Sequence, residues 1–199
     1  MNDLEAQFNI DNIKVIVGLG NIGKAYTNTR HNVGFDFLEK LAGSRRFLEE
    51  AKLKSLVYMN ELAGKKKIYI EPTTQMNLSG EAVALVSNFY KVEPNEILVI
   101  HDDLDLRLGS YKIQFARGPK VHNGILSIEN RLGSNKFWRL RVGVDNREVS
   151  TRDLMSGSDY VLGHFKVDEV KMLDEVFFNV RDELLDRNLI KDEDNLWKQ

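Results

Sequence analysis

Residues 15–35 read V-I-V-G-L-G-N-I-G-K-A-Y-T-N-T-R-H-N-V-G-F, and the parsing of that stretch decides both fold and chemistry. The apolar run Ile13 to Val17 suits a buried strand. Gly18, Gly20 and Gly23 then fall at Gly-x-Gly-x-x-Gly spacing. A dinucleotide site with that spacing needs a helix at once, whose N-terminus holds the pyrophosphate. Lys24 to Asn32 is instead polar, with no apolar period of a helix, and carries Asn21, Thr27, Asn28, Thr29, Arg30, His31 and Asn32 on or beside it. No second strand ends in an acid about 20 residues on, where a ribose would be held. Asp36 and Glu39 lie inside Phe35-x-Phe37-Leu38-x-x-Leu41, which has the spacing of an amphipathic helix. The stretch predicts a strand, a long polar loop and a helix.

The same alternation continues along the chain. Strands are predicted at Ile13–Val17, Leu56–Leu62, Lys67–Glu71, Glu96–His101, Tyr111–Phe115 and Trp138–Val144. Helices are predicted at Phe35–Ala42, Leu78–Lys91, Gly124–Leu132 and Val167–Leu185, with Pro94 as a stop signal after the second. Arg45 to Lys54 reads as an exposed connection. The expected fold is α/β, a single domain with a mixed, largely parallel sheet and helices on both faces. Residues 1–12 read as a flexible leader, 13–190 as the catalytic domain and 191–199 as an acidic tail.

Composition narrows the function classes. The 199 residues are 42% hydrophobic, enough for one domain with a proper core. There is no cysteine, which excludes disulfides, thiolate ligands and a cysteine nucleophile. Four histidines without paired spacing argue against a zinc centre. No run of about 18 apolar residues occurs, as a spanning helix would need, and Met1 to Asp11 is too acidic for a secretory signal. The expectation is a soluble cytoplasmic chain with no membrane partner. Net charge is −2, yet Arg107 to Arg147 holds nine Lys/Arg against Glu129 and Asp145, and Val167 to Gln199 holds ten acids against five bases. The first run is either a solvated face or a set of phosphate contacts.

In such a sheet, ligands bind beyond the carboxyl ends of the strands. The candidates there are Asn21 and His31, then Gln75-Met76-Asn77, then His101-Asp102-Asp103-Leu104-Asp105, and His122-Asn123-Gly124 before a helix. An amide both donates and accepts without changing charge, which suits holding a carbonyl and a water. Each also has a plainer use. Asn77 and Asn123 could cap the helices that follow, and Asp102 and Asp105 could be turn residues or a cation site.

Taken together, the motifs closely resemble the bacterial peptidyl-tRNA hydrolase family, from about Ile13 to Leu185. The anchors are G-L-G-N at 18–21, T-R-H-N-V-G at 29–34, P-T-T-x-M-N-L-S-G at 72–80, I-L-V-I-H-D-D-L-D-L at 97–106, H-N-G at 122–124 and R-L-R-V-G at 139–143. The resemblance implies a cofactor-free, metal-free monomer. Such an enzyme hydrolyses the ester between a peptide and the 3′ ribose of tRNA, recycling peptidyl-tRNA released from ribosomes. It implies His31 as the base that activates water, Asp102 as the acid orienting it, and Asn21 as the group that tells peptidyl-tRNA from aminoacyl-tRNA. Asn77 and Asn123 would hold substrate, water or oxyanion, with Gln75 and Met76 beside them. Tyr26 would contact the terminal nucleotide of the 3′ CCA end, and Lys112 and Arg141 the acceptor stem.

The chain departs from the family pattern at Ile22 (usually proline), at Gln75 (usually aromatic), at Ala116-Arg117-Gly118-Pro119-Lys120-Val121 (usually a glycine run) and at Asp145-Asn146-Arg147. Two alternatives stay open: an RNA-binding relative that has lost the reaction, and a dinucleotide-dependent oxidoreductase.

Overall fold

The computed structural model describes residues 9–43, 47–148, 150 and 152–191. Seven strands form one sheet: β1 Val15–Gly18, β2 Leu48–Glu50, β3 Ser55–Leu62, β4 Lys65–Pro72, β5 Ile97–Arg107, β6 Tyr111–Phe115 and β7 Trp138–Asp145. Their order is β2-β3-β4-β1-β5-β7-β6. The four central strands β4, β1, β5 and β7 pair in parallel, whereas β2, β3 and β6 join the flanks antiparallel. The sheet is thus mixed and parallel at its centre, as expected for strands linked by helical crossovers.

The helices among the described residues are α1 Val33–Ala42, α2 Ser79–Tyr90, α3 Asn123–Leu132, α4 Gly157–Val161 and α5 Val167–Asp186. Strand residues alternate between two cores, as the twofold period of a strand requires. Ile16, Leu98, Ile100, Leu140 and Val142 face α1 and α5, which contribute Phe37, Leu38, Val176, Phe177 and Val180. Val15, Val17, Ile70, Ile97 and Val99 face α2 and α3, which contribute Val83, Val86, Ile125 and Ile128. Both faces of the sheet are covered.

Three expectations change. The exposed connection at Arg45 to Lys54 contains β2, an edge strand whose three residues are all exposed. It buries nothing, so no apolar pattern marks it. Strand β5 does not stop at His101 but runs on to Arg107, because β7 supplies partners for His101, Asp102 and Asp103. Those residues lie on a strand, not in the loop beyond it. The leader boundary also moves. Ile10–Asn12 forms a 3-10 turn, and buried Ile10 packs into the core with α5. Residues 1–8 and 192–199 lie outside the described ones, while Leu189 and Ile190 are buried.

One buried acid makes stability depend on pH. Glu71 on β4 is 2% exposed, and its Oε1 has no hydrogen-bond partner among the described residues. Burial, then the charges of Glu39 and Asp36, push its pKa up from 4.5 to about 8. The folded state therefore keeps a proton that the unfolded chain releases. The resulting stability is complete below pH 4.5 and is lost as pH rises through about 8. At about 1.36 kcal/mol per pKa unit, the change is on the order of 3–5 kcal/mol. Against Glu71→Gln as reference, chemical denaturation of the parent is expected to show this decline. Parallel pH curves for the two proteins would contradict it.

Candidate active site

Asp102, near the parallel end of β5, is the centre of the site. Its Oδ1 accepts from His31 Nδ1 at 2.8 Å and from His122 Nε2 at 3.0 Å. His31 lies on the 3-10 turn Arg30–Asn32, which follows the polar loop and runs straight into α1. That turn is held from below by Arg30. The buried guanidinium donates to Glu169 Oε2 at 2.6 Å and to the His164 carbonyl at 2.9 Å, and stacks over Tyr160.

The proton positions on the rings follow from their partners. His122 caps α3: its Nδ1 accepts from the Gly124 and Ile125 amides at 3.1 and 3.3 Å. Its Nε2 must therefore carry the proton given to Asp102. His31 donates through Nδ1, and its Nε2 is an acceptor with no partner among the described residues. Burial disfavours a charged His31, but the Asp102 charge and hydrogen bond outweigh it and raise its pKa above 6.5. Burial would likewise raise the Asp102 carboxyl. The two histidines override that and hold it below the usual carboxylate range. His101 sits behind the site, its ring 4.8 Å from that of His122. Burial and His122 keep it well below the ordinary imidazole value, and its Nδ1 donates to the Asp102 carbonyl.

Three asparagines are the other candidates for the site. Asn21 is buried, and its Oδ1 accepts from the Met76 amide at 2.8 Å. Its Nδ2 has no partner among the described residues, so its two N–H groups are donors that Asn21 can offer. Asn77 sits in the 3-10 turn Met76–Leu78 with its side chain exposed and caps nothing, because α2 begins at Ser79. Asn123 is the exposed first residue of α3, and the cap is His122 instead. Both side chains are therefore uncommitted among the described residues, and the turn that carries Asn77 packs against α3. Met76 is buried beneath them, where a Cβ on Gly124 would lie 2.5 Å from its Sδ. That glycine is required for the close approach of α3. Gln75 is exposed beside Met76, and the half-buried Tyr26 ring lies over Gly23.

His31, Asp102, Asn21 and Met76 are thus brought together by hydrogen bonds and packing, with Asn123 following His122. Lys112 and Arg141 are paired across β6 and β7. They differ in what they can reach. Lys112 is exposed without an ion pair among the described residues, whereas buried Arg141 bonds Asp103 at 2.6 Å and Gln114 at 2.7 Å. Other bases of the positive run are also neutralised: Arg139 by Glu129, Arg131 by Glu81, Lys120 by Asp105, and Arg147 by Asp145.

Two other chemistries fail on geometry. No helix opens after the glycines. The chain makes the 3-10 turn Lys24–Tyr26 instead, and Gly18 and Gly20 serve to pack Gly34 and Phe35 of α1. A pyrophosphate therefore finds no helix N-terminus there. His31, Asp102 and His122 place ligand atoms within 4.8 Å of one another. The proton on His122 Nε2 nevertheless makes that atom a donor, not a metal ligand.

Sequence reading left His122 undecided and assigned no task to Asn32, which donates from Nδ2 to the Asn21 carbonyl at 3.0 Å and accepts the Asn21 amide at 2.9 Å. The only signal for either was adjacency, His122 to Asn123 and Asn32 to His31.

Residues 15–196 match the family described as Peptidyl-tRNA hydrolase. A peptidyl-tRNA hydrolase of Staphylococcus saprophyticus is 41% identical over 165 residues, covering 82% of this chain and 85% of the relative. One from Staphylococcus aureus is 40% identical over the same length and coverage. The crystal structure of peptidyl-tRNA hydrolase from Acinetobacter baumannii superposes with a TM-score of 0.77 at 31% identity, over 90% of this chain and 94% of that one. Fold, motif order and these likenesses agree: the chain belongs to the peptidyl-tRNA hydrolase family.

Proposed function

We propose that the protein hydrolyses the ester joining a peptide to the 3′ ribose of tRNA, using a water activated by His31. The observation that carries this reading is the dyad. His31 Nδ1 is tied to Asp102, its Nε2 has no partner among the described residues, and the Asn21 side chain is anchored on Met76, which packs at Gly124 beside His122. Nε2 takes a proton from water as its oxygen bonds to the acyl carbon, a step suited to a base of near-neutral pKa. Asp102 stabilises the imidazolium that forms. Asn77 and Asn123 offer amide donors to the tetrahedral oxyanion. When the ester C–O bond breaks, the imidazolium returns the proton to the ribose oxygen, giving tRNA and a peptide carboxylic acid that ionises by releasing a proton to solvent.

Asn21 gives selectivity in this scheme. With its Oδ1 occupied, it donates to a carbonyl that a peptidyl group has and a free aminoacyl group lacks. Tyr26 and Gln75 contact the 3′ CCA end, and Lys112 the acceptor stem. Arg141 shapes that surface from below through Asp103 and Gln114. The protein acts as a monomer in the cytoplasm, where released peptidyl-tRNA accumulates, and needs no cofactor.

Release of diacetyl-lysine from diacetyl-lysyl-tRNA, with lysyl-tRNA spared, tests the reading. Tight tRNA binding with no release would favour the RNA-binding alternative. Lys112 and Arg141 make a separable pair. Lys112→Ala is expected to flatten the salt dependence of tRNA binding by about one contact, a change of roughly 0.9 in log K against log salt. Arg141→Ala leaves Asp103 buried and unpaired and is expected to cost about 3–5 kcal/mol of stability, read by urea denaturation. An unchanged salt slope in Lys112→Ala would remove that lysine from the interface.

A further inference from the structure

Asn32 occupies the N-cap position of α1, where an asparagine side chain ordinarily accepts a hydrogen bond from the first turn of the helix. It makes no such bond. The 3-10 turn carrying His31 leads directly into the helix, so the backbone at Asn32 is already near-helical, with φ −96° and ψ 6°. Its side chain turns away instead and grips Asn21 at both backbone polar atoms. Oδ1 accepts the Asn21 N–H at 2.9 Å and Nδ2 donates to the Asn21 carbonyl at 3.0 Å. Both residues are buried, Asn21 at 7% exposure and Asn32 at 5%.

The grip closes a frame around one group. The Asn21 backbone is fixed at both ends by Asn32, and its side-chain carbonyl is fixed by the Met76 amide at 2.8 Å. The Nδ2 amide is the group left without a partner among the described residues, and its orientation is fixed by the three bonds. Asn32 also follows His31 in the chain, so the turn that carries the base carries the clamp on Asn21. We infer that Asn32 is a positioning residue: it sets the Asn21 amide donor relative to the His31 base, and thereby the discrimination of peptidyl from aminoacyl esters. The bidentate bond to a neighbouring loop has its largest effect on where Asn21 points. This role rests on the hydrolase reading of the cleft.

Asn32→Ala removes both bonds. Asn32→Asp keeps the acceptor for the Asn21 N–H but turns a carboxylate oxygen towards the Asn21 carbonyl. In either variant, kcat/KM for diacetyl-lysyl-tRNA is expected to fall about 10–100-fold, the scale of a misplacement of about 1 Å in a site. Hydrolysis of lysyl-tRNA, which does not use Asn21, is expected to change less than about threefold. The pH limb set by His31 and Asp102 is expected to stay in place, since neither is touched. A folded variant with an unchanged ratio of the two rates would overturn the inference, and so would a displaced pH limb, which would mean that Asn32 acts through His31. Nitrogen-15 NMR of the Asn21 side-chain amide gives a readout independent of catalysis. Its resonances are expected to be those of a single fixed conformer in the parent and averaged in both variants. Unchanged Asn21 resonances would also overturn the inference, whereas a parent that releases no diacetyl-lysine fails the hydrolase reading alone.

Discussion

Replacing His31 by alanine is expected to lower kcat on diacetyl-lysyl-tRNA by roughly 10²–10⁴-fold, the usual contribution of a positioned general base. tRNA affinity should hardly change, because the proposed role of the imidazole is on the reacting water and not on the nucleic acid. The effect belongs to this histidine and not to its neighbours. His101 is buried behind the site with its Nδ1 on a backbone carbonyl, so His101→Ala is expected to lower the melting temperature with little effect on the chemistry of the molecules that fold. Equal kcat losses at the two positions in folded proteins would show the base to be wrongly assigned.

Asp102→Asn is the second large change, and its signature lies in pH. The parent needs neutral His31, so kcat/KM is expected to rise with pH and level off above the His31 pKa. That pKa is raised above 6.5 because the Asp102 charge and hydrogen bond outweigh burial. An amide at 102 can still accept from both rings, but it carries no charge. Burial then prevails, the His31 pKa drops, and the acid limb moves to lower pH. The plateau is expected to fall on the order of 10²-fold or more, since the imidazolium formed during attack loses its counter-charge. An acid limb that stays put would mean that Asp102 does not set the base.

How much of this was legible depended on whether a residue's partner lay close in sequence. Tyr111–Phe115 was read with its observed bounds, because alternation of apolar and polar residues is local information. The crossover order of strands and helices was likewise readable from period alone. Strand β2 was not, since its three exposed residues pair only with β3. The carboxylates of β5 looked like a loop for a related reason. Their partners Arg141, His31 and His122 lie 38, 71 and 20 residues away, so the compensation that permits acids in a buried strand is invisible locally. The charge balance of the positive run is also hidden from local sequence. Glu81, Asp103 and Asp105 neutralise three of its bases from outside the stretch. Asn77 and Asn123 read equally well as caps, and only the placement of Ser79 and His122 frees them.

If His31 directs a water onto the acyl carbon of the ester, an oxygen from solvent must enter the peptide carboxylate. Single-turnover hydrolysis of diacetyl-lysyl-tRNA in oxygen-18 water, parent beside His31→Ala, tests it most directly. The expected result is one labelled oxygen in the diacetyl-lysine carboxylate, no label on the tRNA ribose, and a rate that collapses in the variant. Release at the parental rate in His31→Ala, or label on the ribose, would contradict it.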